Sequence, residues 1–547
     1  MFIGSTTYAD VVIHLEGDDL VVPRQILGSR PVVAHYALSR LNASMSDVLL
    51  GIDMGTGSSK AVVTTVDGQI LASATRPHPN SMSMPRPGWA EVDAELVWWQ
   101  DVVSLCQELV DRVQGHTIVA VCVSGVGPSF LLCDDADRPL RPAILYGIDM
   151  RATVEIQELT QRFGAAEILQ RGGTPLTTQA VGPKALWVRR NEPDVWSKAT
   201  GWYNSNSFIV KRLTGEYVLD HHTASQCDPL YDIRACTWYQ PWYADVMGDL
   251  AAPRLAWPSD IVGRITDNAA QVTNLPAGTP VCAGTVDAWA EAFSAGVRRP
   301  GDLMLMYGST MFFVQVLQAL TSHPELWTTA GVDPGTYTLA AGMSTSGSLT
   351  SWIQDLAGGV SFATLVEEAA AVPPGSGGLL LLPYFAGERT PIFDPRARGV
   401  IAGLTLNHKR GHLFRAAYEG IAFGIRQILE LLDSDLTPVQ RLVAVGGGTQ
   451  GGLWTQIVSD VTGREQSVPE QTIGASYGDA LMAAIGTGLA SPETDWAITG
   501  RIVTPNPATR ELYDGLYRGY CDLYPATKPY VHQLAQLQEQ QAITERT

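Results

Sequence analysis

Leu49-Leu50-Gly51-Ile52-Asp53-Met54-Gly55-Thr56-Gly57-Ser58-Ser59-Lys60 decides how this chain reads, because of what comes after it. An apolar run ends in an acid, then a turn of Gly, Ser and Thr, then a lysine. Backbone N–H groups and hydroxyls in such a turn can wrap a phosphate. A P-loop would continue into a helix. Here Ala61-Val62-Val63-Thr64-Thr65-Val66 follows, then Asp67-Gly68, then Gln69-Ile70-Leu71. β-Branched residues, an Asp-Gly turn and a second apolar run predict a β-hairpin, with the phosphate turn between its neighbouring strands.

A phosphate turn held in a hairpin points to the actin-like ATPase architecture rather than to a P-loop nucleotidase. The 547 residues leave room for two such domains of roughly 200–250 residues each. Hydrophobic residues at 45% and charged residues at 17% describe a folded globular chain. A formal charge of −18 argues against a nucleic-acid partner, so an anionic ligand must be held by local groups such as Lys60. Cys106, Cys122, Cys133, Cys227, Cys236, Cys282 and Cys521 are scattered, with no C-x-x-C pair. Their spacing predicts a reduced, cytoplasmic chain without disulfides or zinc. No run reaches the 18 or so apolar residues of a membrane span, and the N-terminus has no basic and apolar signal regions.

Residues 1–44 do not fit the rest. They read either as a loosely attached extension ahead of Met45-Ser46-Asp47-Val48, where the native chain would begin, or as an ordinary N-terminal arm. From 45 the order is strands, then alternating helices and strands. Trp98, Val102, Leu105, Leu109 and Val113 mark a helix with one buried stripe. Ile118 to Val123 is a strand. After Pro300-Gly301 a second domain begins with strand Leu303 to Tyr307, turn Gly308-Ser309-Thr310 and strand Met311 to Val316, in the image of the first hairpin. The expected division is 45–297, 298–525 and a Gln/Glu-rich tail over 526–547 that frays or forms a short surface helix. The fold class is α/β, two actin-like (ribonuclease H-like) domains with a central cleft.

Three glycine turns follow apolar strands: Asp53 to Lys60, Gly308 to Thr310, and Gly446-Gly447-Gly448-Thr449. One alone marks only a tight turn. Three, spread over both halves, fit a nucleotide clamped between domains. Asp287 follows Ala283-Gly284-Thr285-Val286 and opens a helix. It suits an N-cap; placed just before the inter-domain connection, it also suits a carboxylate that accepts a hydroxyl proton.

Gly387-Glu388-Arg389-Thr390-Pro391, Asp394-Pro395, Ala397 to Leu404, and His412-Leu413 through Glu419 resemble the second-domain pattern of the FGGY family of carbohydrate kinases. Pro183-Lys184-Ala185-Leu186-Trp187, Asn191-Glu192-Pro193 and Pro139 to Leu145 resemble its first domain, and the likeness covers about 47–525. The resemblance implies ATP and Mg²⁺ as cofactors and a small sugar or polyol as substrate, with no nucleic acid or membrane partner; homodimers are common in the family. It implies that Asp53, Gly55, Thr56 and Lys60 meet the β- and γ-phosphates, Asp53 through the metal. Gly308, Ser309 and Thr310 would form a second phosphate loop, Gly446, Gly447 and Gly448 would lie against adenosine, and Asp287 would be the catalytic base. An unperturbed Asp is already ionised at neutral pH.

Within the family the layout is most similar to the xylulokinases, which implies a pentulose such as D-xylulose. The chain departs from them where Gly127-Pro128 replace a Met-His pair, where Ala288 replaces an Asn, and in Tyr146-Gly147-Ile148-Asp149-Met150-Arg151, one residue longer than usual. Lost polar groups change sugar discrimination steeply, so ribulose, a tetritol, glycerol or an aldonate is the alternative acceptor. An actin-like ATPase that is not a kinase is the alternative activity. Asp149 and Arg151 read as substrate ligands or as a surface ion pair, and Trp89 as a sugar-side wall or as core. Lys184 and Trp187 read as fold supports, and Trp98, Trp99, Trp238 and Trp242 as core. His221-His222 near Asp220 lack a third zinc ligand.

Overall fold

β1 (Asp47–Met54) and β2 (Ser58–Thr65) form the expected hairpin, with Asp53 opposite Lys60. The chain returns through Asp67-Gly68 as β3 (Ile70–Pro77); Gly68 N donates to Thr65 O at 3.1 Å. Gly68 sits at φ 90°, a left-handed conformation that glycine adopts without steric cost. α1 (Gln100–Arg112) continues a wider turn begun at Ala94, and Trp98, Val102, Leu105 and Leu109 are its buried stripe. β4 (Thr117–Gly125) lies parallel to β1. β5 (Ile261–Arg264), β6 (Pro280–Cys282) and β7 (Thr285–Val286) complete a seven-stranded sheet in the order β5-β6-β4-β1-β2-β3, with β7 also on β4. α2 (Asp287–Ser294) leaves β7 directly.

This computed structural model describes residues 14–16, 19–21, 47–435, 437–470 and 473–544. The extension expected over 1–44 lies outside them, except for the paired three-residue strands His14–Glu16 and Asp19–Val21.

β8 (Asp302–Tyr307) and β9 (Met311–Leu317) repeat the hairpin, joined by β10 (Trp327–Ala330) and β11 (Tyr337–Met343). α3 (Arg410–Asp435) crosses to β12 (Arg441–Val445), parallel to β8 as β4 is to β1. α4 (Leu453–Thr462) leads to β13 (Gln466–Pro469), and α5 (Ala475–Gly486), β14 (Thr499–Val503) and α6 (Arg510–Thr544) follow. The second sheet runs β10-β11-β9-β8-β12-β13-β14. Both sheets therefore contain an antiparallel meander extended by parallel strands beyond its first strand: β3-β2-β1-β4-β6 and β11-β9-β8-β12-β13. That shared order is the duplicated actin-like, ribonuclease H-like arrangement.

The two lobes share a seam made of α2 and α5. One buried cluster joins Leu49 and Val62 of the first sheet, Val314 and Val443 of the second, and Trp289 and Met482 of the seam helices. Each such side chain stabilises the seam by about 1.5–3 kcal/mol on burial. Close approach needs glycine: a Cβ at Gly51 would lie 1.9 Å from Ser476 O, and one at Gly478 would lie 2.1 Å from Ala290 O. Trp289 Nε1 donates to Thr338 Oγ1 at 2.7 Å, and Tyr477 OH to Gly68 O at 2.9 Å. The helix that begins at Asp287 is thus wedged between the lobes.

Between β4 and β5 the first lobe carries a separate aromatic core that includes Trp202, Trp238 and Trp242. His222 is buried there with Nδ1 2.7 Å from Ala330 O, and His221 Nδ1 lies 2.8 Å from Tyr231 OH, so packing accounts for the histidine pair. The segment from 526 does not form a separate short helix: α6 runs unbroken to Thr544, and its Tyr524 and His532 both bond the Asp394 carboxylate. No described helix is long and apolar enough to cross a membrane.

Candidate active site

The first glycine turn is tight. Gly55 N donates to Ser58 O at 3.1 Å, leaving Thr56, Gly57 and Lys60 exposed. His78 holds it from below: its backbone N donates to Gly57 O, its Nε2 lies 3.0 Å from Gly55 O, and its Nδ1 lies 2.9 Å from Asp101. Nothing in the sequence pattern singled out His78. The second turn has the same place in the second sheet, between β8 and β9. Gly308 N donates to Thr310 O at 3.2 Å, and Ser309 O accepts from Ser346 N, Ser348 N and Ser348 Oγ. Ser309 and Thr310 are exposed.

The third turn divides. Gly446, at φ 92°, would put a Cβ 2.7 Å from Tyr307 O, and Gly448 would put one 2.7 Å from the Trp454 ring. Their missing side chains serve chain packing. Among the described residues nothing beyond its own chain neighbours comes within 4 Å of a Cβ at Gly447, the member open to a ligand.

Beside the first turn lies a cluster of acids. Asp53 is buried, and its Oδ1 has no hydrogen-bond partner among the described residues. Burial pushes its pKa well up, the charges of Asp287 and Asp479 push the same way, and Lys60 opposes them. Asp287 is half-buried in the first turn of α2, where its Oδ1 accepts Ala288 N at 2.8 Å; the N-cap is Val286. Burial pushes the Asp287 carboxyl up to about 6, so it is tuned rather than ordinary, and still mostly ionised at pH 7. Glu291, one turn along, is also raised by burial, and Lys60 lowers it.

Asp479, on α5, was not expected. It accepts Ser124 Oγ at 2.6 Å and Cys122 Sγ at 3.8 Å, and burial raises it well above the usual carboxylate range. In the sequence it is only an acid directly before the apolar stretch Ala480-Leu481-Met482-Ala483-Ala484, and nothing local marks its contact with Ser124.

An orphaned carboxylate oxygen among other acids is a charge mismatch that a hard divalent cation corrects. No group of three or more His, Cys, Asp or Glu side chains among the described residues could hold a metal alone. Mg²⁺ fits that donor set, because it takes one or two carboxylates and completes its shell with water and substrate phosphates.

A Cβ at Gly127 would lie 2.9 Å from Val286 Cγ2, which places Gly127-Pro128 beside the residue before Asp287. Ser129 N donates to Asn204 Oδ1 at 2.6 Å and Ser205 Oγ to Val126 O at 2.7 Å, pinning this segment on either side. Tyr146 also reaches the site, its hydroxyl 3.3 Å from Thr56 Oγ1.

Asp149 and Arg151 correct an expectation. Both side chains are fully buried and paired at 2.7 Å; Asp149 also accepts Ala90 N, and Arg151 also pairs with Glu91 at 2.7 Å. They are not a surface pair, and both side chains are enclosed, Asp149 against Arg151 and the backbone and Arg151 against Asp149 and Glu91. Arg151 supports Trp89 instead: its guanidinium stands 4.0 Å from the half-buried indole, which meets Trp187 edge-on at 5.1 Å. Lys184 is buried too and donates to the carbonyls of Gln179 and Ala180.

Each sheet thus carries an exposed turn between its first two strands, and beside the first turn stand an unpaired acid and a tuned acid, features suited to a polyphosphate and its cation. Comparison with known proteins agrees. The N-terminal domain model of the FGGY family of carbohydrate kinases matches residues 48–294, and its C-terminal domain model matches 303–487. The chain is 26% identical over 494 residues to a xylulose kinase of Bacillus subtilis, covering 88% of this chain and 97% of that protein. It is 28% identical over 480 residues to a glycerol kinase of Nocardia farcinica, covering 83% and 93%. The crystal structure of xylulose kinase from Rhodospirillum rubrum matches with a TM-score of 0.81 at 33% identity, over 89% of this chain and 100% of that one.

Proposed function

Because this chain belongs to the FGGY family of carbohydrate kinases and uses ATP to phosphorylate a sugar hydroxyl, we propose that its acceptor is a pentulose, D-xylulose first, and that Asp287 is the base. The observation that carries the reading is the tuned Asp287 carboxyl at the head of the helix wedged between the lobes. In the reaction Asp287 takes the hydroxyl proton, and the freed oxygen bonds the γ-phosphorus. The bond from that phosphorus to the β,γ-bridging oxygen breaks, and its electron pair leaves on ADP. A loose transition state asks mainly for positioning and charge neutralisation.

Gly55, Thr56 and Lys60 hold the phosphates from the first lobe, and Gly308, Ser309 and Thr310 hold them from the second. Gly447 gives adenosine its closest approach, between Gly446 and Gly448. Asp53 would hold Mg²⁺ through its unpartnered oxygen, and that ion would supply charge neutralisation to the phosphates. The sugar lies against Gly127-Pro128, with Trp89 as a wall. Seven free thiols suit a reducing, cytoplasmic setting.

One observation favours a second acceptor. Gly127, Pro128 and Ala288 offer no side-chain hydrogen bond beside Asp287, which relaxes the demand for a pentulose and admits smaller polyols such as glycerol. A coupled assay of ADP formation across pentuloses, hexuloses, tetritols, glycerol and aldonates tests both. D-xylulose is expected to give the highest kcat/KM; a higher value for any other acceptor replaces it.

A further inference from the structure

We propose that Arg389 is the second lobe's cation for the transferring phosphoryl group, reaching across the cleft to the side of Asp287, Tyr146 and Thr56. The inference rests on the reading of Asp287 as base.

Position comes first. The loop that carries Arg389 is stitched to the end of β11: Thr390 N donates to Gly342 O at 3.2 Å, and Ser344 N to Glu388 Oε1 at 2.7 Å. β11 ends at Met343, whose partner on β9 is Met311, the first residue after the second phosphate turn. The guanidinium itself donates from Nη2 to Met343 O at 2.9 Å. It fills the space left by Gly342, where a Cβ would stand 3.1 Å from Nη2. Arg389 is therefore anchored beside the turn Gly308–Thr310.

Its reach comes second. Tyr146 belongs to the first lobe and its hydroxyl touches Thr56 in the first phosphate turn. Burial raises the Tyr146 phenol; beyond the Thr56 bond, the charges it feels are those of Asp287, which raises it, and Arg389, which lowers it. One phenol thus senses the proposed base and the second-lobe cation together.

Its unmet valence comes third. A guanidinium has five N–H donors, and among the described residues Arg389 donates one hydrogen bond, to Met343 O. No carboxylate among the described residues lies within 4.0 Å of it, and the adjacent Glu388 is turned to the backbone N–H groups of Ser344 and Arg389. Arg415, which is buried, shows the contrast: it is committed to Glu419 and Tyr513. A half-buried guanidinium with free, coplanar donors binds a phosphoryl group two-pronged.

In the transfer already described, charge spreads over the three equatorial oxygens of the γ-phosphoryl while its bond passes from ADP to the alcohol. Arg389 donates to those oxygens and holds no proton in transit. The loss of one such donor lowers kcat by about 10²–10³-fold.

The test uses the full chain with Arg389→Ala, Arg389→Lys and Asp287→Asn. Binding of ADP·Mg²⁺ with and without aluminium fluoride, a mimic of the transferring group, is measured by titration calorimetry. Arg389→Ala is expected to bind ADP within threefold of the parent chain and to lose at least tenfold in the gain that fluoride brings, with Arg389→Lys in between. With the best acceptor from the screen, kcat should fall while both KM values hold, and millimolar guanidinium should restore part of the Arg389→Ala rate. An unchanged fluoride gain in Arg389→Ala, or a loss confined to KM, overturns the role of Arg389. Where Arg389→Ala does not fold, the same criteria apply to Arg389→Lys. Full activity in Asp287→Asn overturns the base instead, so the two failures are distinct.

Discussion

Ser124 Oγ donates to Asp479 Oδ2 at 2.6 Å, and through that bond a helix from the second half of the chain grips the middle of the first sheet. Ser124 is paired with Asp53 on one side and with Thr285, two residues before Asp287, on the other. Asp479 thus fixes the strand between the two acids of the site.

Asp479 also has a pH signature. Burial raises its folded pKa above the unfolded value, so its contribution to stability is complete below about pH 4 and is lost as pH rises toward the folded pKa. Asp479→Asn keeps an acceptor for Ser124 and should flatten the fall of stability with pH above 4. Asp479→Ala should cost about 1–3 kcal/mol through the unpaired Ser124 hydroxyl. Urea unfolding at pH 5 and pH 8 measures both; a parallel pH slope in Asp479→Asn and the parent chain contradicts the assignment.

Asp287 should set the acid limb of catalysis. With its carboxyl pushed up to about 6, kcat/KM should fall about tenfold per pH unit below that value, because the base is then protonated. Asp287→Asn should remove turnover and leave ATP affinity within about threefold, since it is aimed at the alcohol rather than the nucleotide. A limb centred near pH 4 would mean that burial does not tune this group.

The seam can be tested with two glycines. Gly51→Ala drives a methyl into Ser476 O, backbone that cannot swing away, and should cost about 3 kcal/mol or more. Gly57→Ala meets nothing within 4 Å and should stay within about 0.5 kcal/mol. Equal melting temperatures for the two variants would deny the close approach of α5 to β1.

Arg151→Ala separates support from binding. It leaves Asp149 buried without its cation, at a cost of about 3–5 kcal/mol, while Glu91 keeps Arg141 at 2.6 Å. In protein still folded at 15 °C, kcat should stay within about threefold of the parent chain, because Arg151 acts through Trp89. A KM for sugar raised a hundredfold with unchanged melting would restore it as a ligand.

Hairpins and glycine turns were legible because they are local: Asp53, Gly68 and Lys60 declare their geometry within twenty residues. The duplication was legible as element order, although the halves share little sequence. The acids divided differently. Asp287 could be singled out by its place before the inter-domain connection, whereas Asp479 depends on a contact with Ser124 from the far half, which no local pattern encodes. Asp149 and Arg151 misled for the same reason. An acid and an arginine two residues apart look alike whether they face a ligand or each other, and only the burial supplied by Trp89, Ala90 and Glu91 decides. His78 was invisible because its work is done for a turn some twenty residues upstream.

α5 lies against a sheet whose first strand is made near the other end of the polypeptide. While the ribosome works, Leu49, Val62 and Ala120 keep a bare face until residues near 484 emerge, a long interval in which a chaperone or a neighbouring nascent chain can occupy it. The same interlock makes a gene fusion at the connection after Val297 a poor way to exchange halves between relatives: a transplanted second half brings its own α5, and with it a foreign lining for the recipient's first sheet.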